Sequence, residues 1–261
     1  MMEVRVAACA VAGPGLPDWA TAQEVLAGRR PYVATAVAEP NPVLLPPNER
    51  RRASGPARWV MAVGHAALQA SGLAATDVAT VLTSSGSDGH ITDQICKALA
   101  TNPIEVSPTR FHNSVHNAPG GYWSIALASR APSTSLCAGS GSFGAGLLEA
   151  AAQVTVEQRA VLVIAYDLPY PEPLSALWPL RDPFAVAMML VEPSRGNGPT
   201  LSVSVDSGAG TPHWPTTLPR DLADNPAAAA LPLLALLACR APGTIVLPYL
   251  ARCRLVVELR E

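Results

Sequence analysis

Four side chains in the middle of the chain have the chemistry of a covalent catalyst: Cys137, Ser140, His112 and His116. A thiol attacks as its thiolate, and a serine hydroxyl attacks only when a base removes its proton. Either nucleophile would therefore need one of the two histidines, which precede them by about the length of a helix. Cys137 closes the apolar run Ser133–Cys137, and Ser140 sits in AGSGS, which departs from the GxSxG elbow pattern. Each residue also has a plainer reading. A free cysteine at the end of an apolar strand behaves as a small buried hydrophobe, and small residues at an elbow permit close packing. His112 and His116 stand among Asn113, Ser114 and Asn117, a density of polar groups that suits a binding edge or a self-satisfied loop. On a third reading the stretch performs no chemistry and serves as a recognition surface.

These residues must be positioned by the unit from Phe111 to Asp167. A polar loop leads into a helical run through Tyr122 and Trp123, two aromatics that suit a helix start or a subunit contact. The turn Ala131-Pro132, a short strand, a small-residue elbow at Ala138–Ser142, a second helix and the apolar strand Ala160–Ala165 follow. A strand passing through a tight elbow into a helix aims the elbow residue and the helix N–H groups at a ligand. Asp167 closes that strand as a polar rim residue.

Around this unit, Val4–Val11, Val78–Thr83, Ala185–Val191, Thr200–Val205 and Arg252–Leu259 read as further strands. Ser54 can cap a helix through Ala70 with Gly72 as its stop, and Ala227–Cys239 reads as a late helix. Residues 29–48 carry five prolines and read as an irregular surface connection. The loop Ser84–Gly89 lacks GxGxxG and a P-loop lysine, so it reads as a turn that starts a helix. The alternation of helices with apolar strands predicts an α/β fold with a mixed, mostly parallel sheet covered by helices on both faces. No cofactor motif is present.

The chain has 261 residues, 49% of them hydrophobic and 15% charged, with a net charge of −2. No basic stripe accompanies exposed aromatics, which argues against nucleic acid. Five cysteines without CxxC spacing argue against a disulfide framework and a zinc site, and neither His65 nor His213 has a partner at metal-ligand spacing. The longest apolar run, Ala227–Cys239, contains Pro232 and is too short to span a bilayer, and no signal peptide is evident. A cytoplasmic protein is expected.

With these residues in hand, the chain resembles the N-terminal half of the β-ketoacyl synthases of the thiolase superfamily. The likeness runs through RRASGPARWVMAVGHAALQASGL, the spacing Asn117 to Gly121, Arg130-Ala131-Pro132-Ser133, the elbow, VLVIAYD and PFAVAMMLVEP. It covers roughly the first three-quarters of the chain, in consistent order. The resemblance implies a thiolase-like half-fold: a ketosynthase-like half-domain over residues 1–195, with 196–261 as a shortened extension completing the same domain.

In that family a Pro-Ser turn leads through a buried strand to the nucleophilic cysteine. Counting from Pro132 without a gap lands on Ser140; placing Cys137 there needs an odd slip, which flips a strand's faces. The resemblance thus puts Ser140 at the nucleophile's position and makes Cys137 strand packing. The family's catalytic histidines come from its C-terminal half, of which neither HGTGT nor an NSFGFGG-like element is present here, and a serine without a base is a poor nucleophile. These departures resemble the chain length factors, in particular the truncated ketosynthase-like proteins of aryl polyene clusters. That likeness implies a non-catalytic or weakly catalytic subunit that pairs with a full-length β-ketoacyl-carrier-protein synthase in polyketide- or fatty-acid-type synthesis and meets acyl carrier protein. His112, Asn113, His116, Asn117, Tyr122 and Trp123 are then candidates for partner contacts. The alternatives are an acyltransferase or condensing enzyme acting through Ser140 or Cys137, and a degenerate homodimer.

Overall fold

In the computed structural model, residues 1–86, 88–208 and 214–260 are described. Eight strands form one hydrogen-bonded sheet in the order β3-β2-β4-β5-β1-β6-β8-β7. They are β1 (Met2–Ala12), β2 (Val78–Thr83), β3 (Ser133–Leu136), β4 (Ala160–Asp167), β5 (Phe184–Val191), β6 (Thr200–Ser207), β7 (Gly243–Leu250) and β8 (Cys253–Arg260). Every residue of β2, β4 and β5 is buried. Uninterrupted apolar sequence is what a strand covered on both faces requires.

β6 pairs with β1 only over Met2–Arg5, so beyond that point the sheet divides into two leaves. Between the leaves lie α1 (Trp19–Leu26), α7 (Ser142–Glu157) and α8 (Leu231–Cys239). Their apolar side chains share one core with Val163 and Val186 of the first leaf and Ile245, Leu247 and Val257 of the second. On the outer face of the first leaf, α3 (Gly55–Ser71) contributes Trp59, Val63 and Ala67 to a second core with Ile164 and Tyr166. Gly72, with φ of 69°, ends α3 in the left-handed conformation that glycine adopts without strain. The remaining helices are α2 (Pro47–Arg52), α4 (Gly89–Leu99), α5 (Pro108–Asn113) and α6 (Ala118–Leu127).

The sheet is mixed, as expected, but its parallel part is small. Only the β3–β2 and β2–β4 ladders are parallel; the other ladders in the order are antiparallel. A parallel neighbour needs a long crossover, whereas β7 and β8 are joined by a tight hairpin. Coverage by helices on both faces holds for the first leaf. In the second, Leu255, Val257 and Leu259 of β8 point inward, while Arg254 pairs with Asp206 at 2.6 Å and Arg260 with Glu258 at 2.7 Å on the opposite side. The segment 196–261 thus supplies β6, β7, β8 and α8, which extend the sheet and close the α7 layer.

Candidate functional site

The elbow begins where β3 stops at Leu136. Cys137 and Ala138 lead into one 3-10 turn, Gly139–Gly141, and α7 starts at Ser142. Gly139 has φ of 54°, a left-handed conformation that reverses the chain within one residue. The Ser142 hydroxyl accepts the Ala138 N–H at 2.9 Å and lies 3.0 Å from the Ser84 carbonyl. Thr83 donates its hydroxyl to the Ser142 carbonyl at 2.7 Å. A side chain at Gly141 or Gly144 would run into the backbone carbonyls of Tyr249 and Pro248 in β7. The elbow is therefore clamped between the end of β2 and the backbone of β7.

Ser140 stands at the tip of this elbow, exposed, and its hydroxyl makes no hydrogen bond among the described residues. His116 is tied elsewhere: its Nε2 lies 2.9 Å from the Leu136 carbonyl. A carbonyl only accepts, so that nitrogen carries the proton and is not free to take one. His112 is exposed and meets the Tyr122 ring edge-on, with centroids 6.3 Å apart. His213, the histidine that comes after Ser140 in the sequence, lies outside the described residues.

Two sequence expectations are corrected by burial. Cys137 is exposed rather than packed in the strand, because β3 ends one residue earlier; its sulfur lies 3.1 Å from the Ser85 carbonyl. Asn113, Tyr122 and Trp123 cannot meet a partner through their side chains, because all three are interior. The Tyr122 hydroxyl donates to Asn113 at 3.0 Å, Asn113 donates to the Arg52 carbonyl at 2.7 Å, and Trp123 packs against Gly64 in the α3 core. The polar loop that contains Asn113 is in part the short helix α5. His112 and Asn117 are exposed and His116 is half-buried.

The sequence understated Asp167, which is 2% exposed rather than on a rim. One of its oxygens accepts the Ser84 hydroxyl at 3.0 Å, the Ser85 N–H at 2.8 Å and the Ser85 hydroxyl at 2.6 Å. Burial pushes its carboxyl up to about 6 against those bonds, which pull the other way. Asp167 therefore fixes the Ser84-Ser85 turn, and the carbonyls of that turn hold Cys137 and Ser142. The available signal was an acid closing a wholly apolar strand, which must find donors where it is buried. Among the described residues no three His, Cys, Asp or Glu side chains converge to hold a metal ion. The site can aim a serine and a helix terminus at a ligand, and among the described residues no histidine is hydrogen-bonded to that serine.

The family model described as "Beta-ketoacyl synthase, N-terminal domain" matches residues 19–234. No curated protein sequence matches the chain. Among solved structures, the chain is similar to a ketosynthase (ApeO) in complex with its chain length factor (ApeC) from Xenorhabdus doucetiae, with 24% identity over 99% of this chain and 100% of that one and a TM-score of 0.70. It is also similar to the ishigamide ketosynthase/chain length factor, at 13% identity over 100% and 99% of the two chains with a TM-score of 0.75. A third is a type II polyketide synthase complex of acyl-carrier protein and ketosynthase (AntDE:AntF), at 11% identity over 99% of each chain and a TM-score of 0.75. The architecture is thus the thiolase-like fold of the ketosynthases.

Proposed function

The chain belongs to the β-ketoacyl synthase family through its N-terminal domain, and from that premise we propose that it is a subunit of the chain length factor type, with little or no condensing activity of its own. It pairs with a full-length β-ketoacyl-carrier-protein synthase in polyketide- or fatty-acid-type synthesis, with acyl carrier protein as the donor to the pair. Aryl polyene synthesis is the specific setting we favour, in the cytoplasm. Residues 1–195 form the ketosynthase-like half and 196–261 its shortened completion.

The observation that carries this reading is an elbow intact in shape whose Ser140 hydroxyl is hydrogen-bonded to no histidine among the described residues, while Nε2 of His116 is held by the Leu136 carbonyl. Decarboxylative condensation needs a thiolate and groups that stabilise an enolate. His112, His116 and Asn117 remain the candidates for partner contacts, beside the exposed Phe111 and Val115. Co-expression with a full-length ketosynthase, where one is encoded beside this chain, tests the proposal. A one-to-one complex that extends acyl chains only when both subunits are present is expected; a stable monomer that never binds the ketosynthase defeats it.

A second reading, acyl transfer or condensation through Cys137 or Ser140, is favoured by one observation, the exposure of Cys137. Incubation of the isolated chain with malonyl and acyl carrier protein separates the two. A covalent adduct lost in Cys137→Ala or Ser140→Ala would make this chain an enzyme.

A further inference from the structure

A second concave feature lies where the two leaves of the sheet part, away from the elbow. It is a cleft of about 520 Å³ between β1, the segment before β6, α1 and the end of α8, and neither Cys137 nor Ser140 lines it. Its volume falls in the ~300–1,000 Å³ range of small-molecule sites. Volume alone names no ligand; the polar groups that face the cleft do.

The backbone of β1 is the informative feature. β1 has a strand on both sides only as far as Arg5, and the Val6 N–H still reaches the Pro199 carbonyl at 3.0 Å. Val6 stands opposite Leu190 and Ala8 opposite Met189 in β5, so Ala7 is the extra residue of a β-bulge. Alternate residues of an antiparallel strand send their N–H and C=O to opposite sides. Past the bulge, Cys9 is therefore the residue whose N–H and C=O turn away from β5 and into the cleft. Cys9 is 8% exposed, and neither backbone group has a partner among the described residues. Buried backbone groups in folded proteins are almost always paired, so this pair points to something that completes it. Burial pushes the Cys9 thiol up to about 12, so the sulfur stays a small neutral hydrophobe and takes no part.

The side chains around it carry one sign of charge. Among the described residues Arg240 and Arg260 line the cleft, and no carboxylate, lysine or histidine does. Arg260 is spent on Glu3 at 3.1 Å and Glu258 at 2.7 Å. Arg240 is exposed, and its guanidinium has no partner among the described residues. Trp19, Leu237 and Leu259 supply apolar wall. A cation would meet two arginines, and a bare metal ion finds no set of ligands among the described residues. A purely apolar body leaves the Cys9 backbone and Arg240 unanswered. An amide both donates and accepts, which answers the backbone pair, and a carboxylate answers the guanidinium. We infer that this cleft binds the carboxyl end of an extended peptide, which lies along β1 as a short added strand with its amides on Cys9 and its terminal carboxylate on Arg240. The site is independent of the subunit role proposed above.

Isothermal titration of the purified chain, alone or with its partner subunit, tests it with probes built on N-acetyl-valyl-leucyl-valine. They are the free acid, its C-terminal amide, and the free acid with every amide nitrogen methylated. The acid should saturate one site, and the amide, which lacks the charge, should bind about tenfold or more weakly. The methylated acid keeps the charge but has no N–H to offer Cys9, and it should not bind. Arg240→Gln, at an exposed position, should weaken the acid by about tenfold while leaving the amide nearly unchanged. Ala241→Trp should fill the cleft and abolish binding of both. Equal binding of acid and amide, a methylated acid that binds as well as its parent, or undiminished binding of the acid in Arg240→Gln overturns the inference. No saturation by the acid up to about 5 mM with a folded protein does so too. Every outcome leaves the test of subunit pairing untouched.

Discussion

The sheet has two outer edges, and they are built differently. At one edge, β7 carries Pro248, which has no N–H to offer, and its register shifts between Pro248 and Leu250. The carbonyls of Pro248 and Tyr249 press against Gly144 and Gly141 of the elbow. Proline and irregularity are how proteins close an edge to further pairing. At the other edge, β3 holds Ser133–Leu136 with no proline, charge or bulge, half-exposed along its length. β2 uses the carbonyls of Pro132 and Leu136, at 2.9 and 3.4 Å, so the two-residue alternation turns the N–H and C=O of Ser133 and Ser135 outward. Phe111, Val115 and Ile125, on or beside the adjoining helices α5 and α6, are each more than half exposed. One edge is consumed in bracing the elbow, and the other is left able to pair. The difference leaves β7 with internal work and β3 as the edge at which we propose a partner pairs.

Breaking the braced edge should have the largest effect. A methyl at Gly141 would collide with the Tyr249 carbonyl, which is backbone and cannot swing aside. Gly141→Ala should cost about 1–3 kcal/mol of stability through overpacking, read as a lower thermal midpoint, and should loosen β7 first. Gly121→Ala, where a methyl meets nothing within 4 Å, is the control and should leave stability nearly unchanged.

Asp167 sits at the top of the braced region and gives a pH signature. Its carboxyl is raised from 3.8 to about 6, so between those values the folded chain holds a proton that the unfolded chain has released. The contribution of Asp167 to stability therefore falls as pH rises from about 4 to 6, by on the order of 2–3 kcal/mol, and is flat above. Asp167→Asn should remove that slope in midpoints measured from pH 4 to 7. A wild-type slope that is the same in Asp167→Asn would contradict the assigned burial.

How much the sequence revealed depends on how local each signal is. β2, β4 and β5 were legible as unbroken apolar runs, α3 by its apolar face with Ser54 at its start and Gly72 at its stop, and the elbow by its density of small residues. β7 was not, because Pro248 interrupts an otherwise strand-like TIVLPYL, and proline is tolerated there only because the strand is an edge. α5 hid inside a polar loop because six residues give no periodicity to read. The antiparallel half of the sheet depends on connection lengths rather than on the strands themselves. At the site, the elbow's position was legible from Pro132 onward, whereas the interior placement of Asn113 and Tyr122 arises from Arg52, far away in sequence. The exposure of Cys137 turned on a single residue at a strand end, where sequence boundaries are least certain.

The open edge can be tested by closing it. Ser135→Pro removes an outward N–H without touching a ladder bond to β2, and an edge strand tolerates proline. The isolated chain should keep most of its stability. Assembly with a ketosynthase partner should weaken by about tenfold or more, the scale of one or two lost backbone hydrogen bonds. Co-purification or analytical ultracentrifugation reads the effect. An unchanged complex would move the partner surface away from β3 and remove the functional contrast between the two edges.

The smallest effect is expected at the two candidate nucleophiles. Ser140 is exposed and makes no hydrogen bond among the described residues, and Nε2 of His116 is held by the Leu136 carbonyl. Ser140→Ala should change stability by no more than about 0.5 kcal/mol, as for most surface substitutions. In the assembled complex it should leave the rate and length distribution of product unaltered, and Cys137→Ala should behave alike. If elongation instead drops by an order of magnitude in Ser140→Ala while the complex still forms, the braced edge supports a working nucleophile, and β7 clamps an active elbow rather than the shape of one.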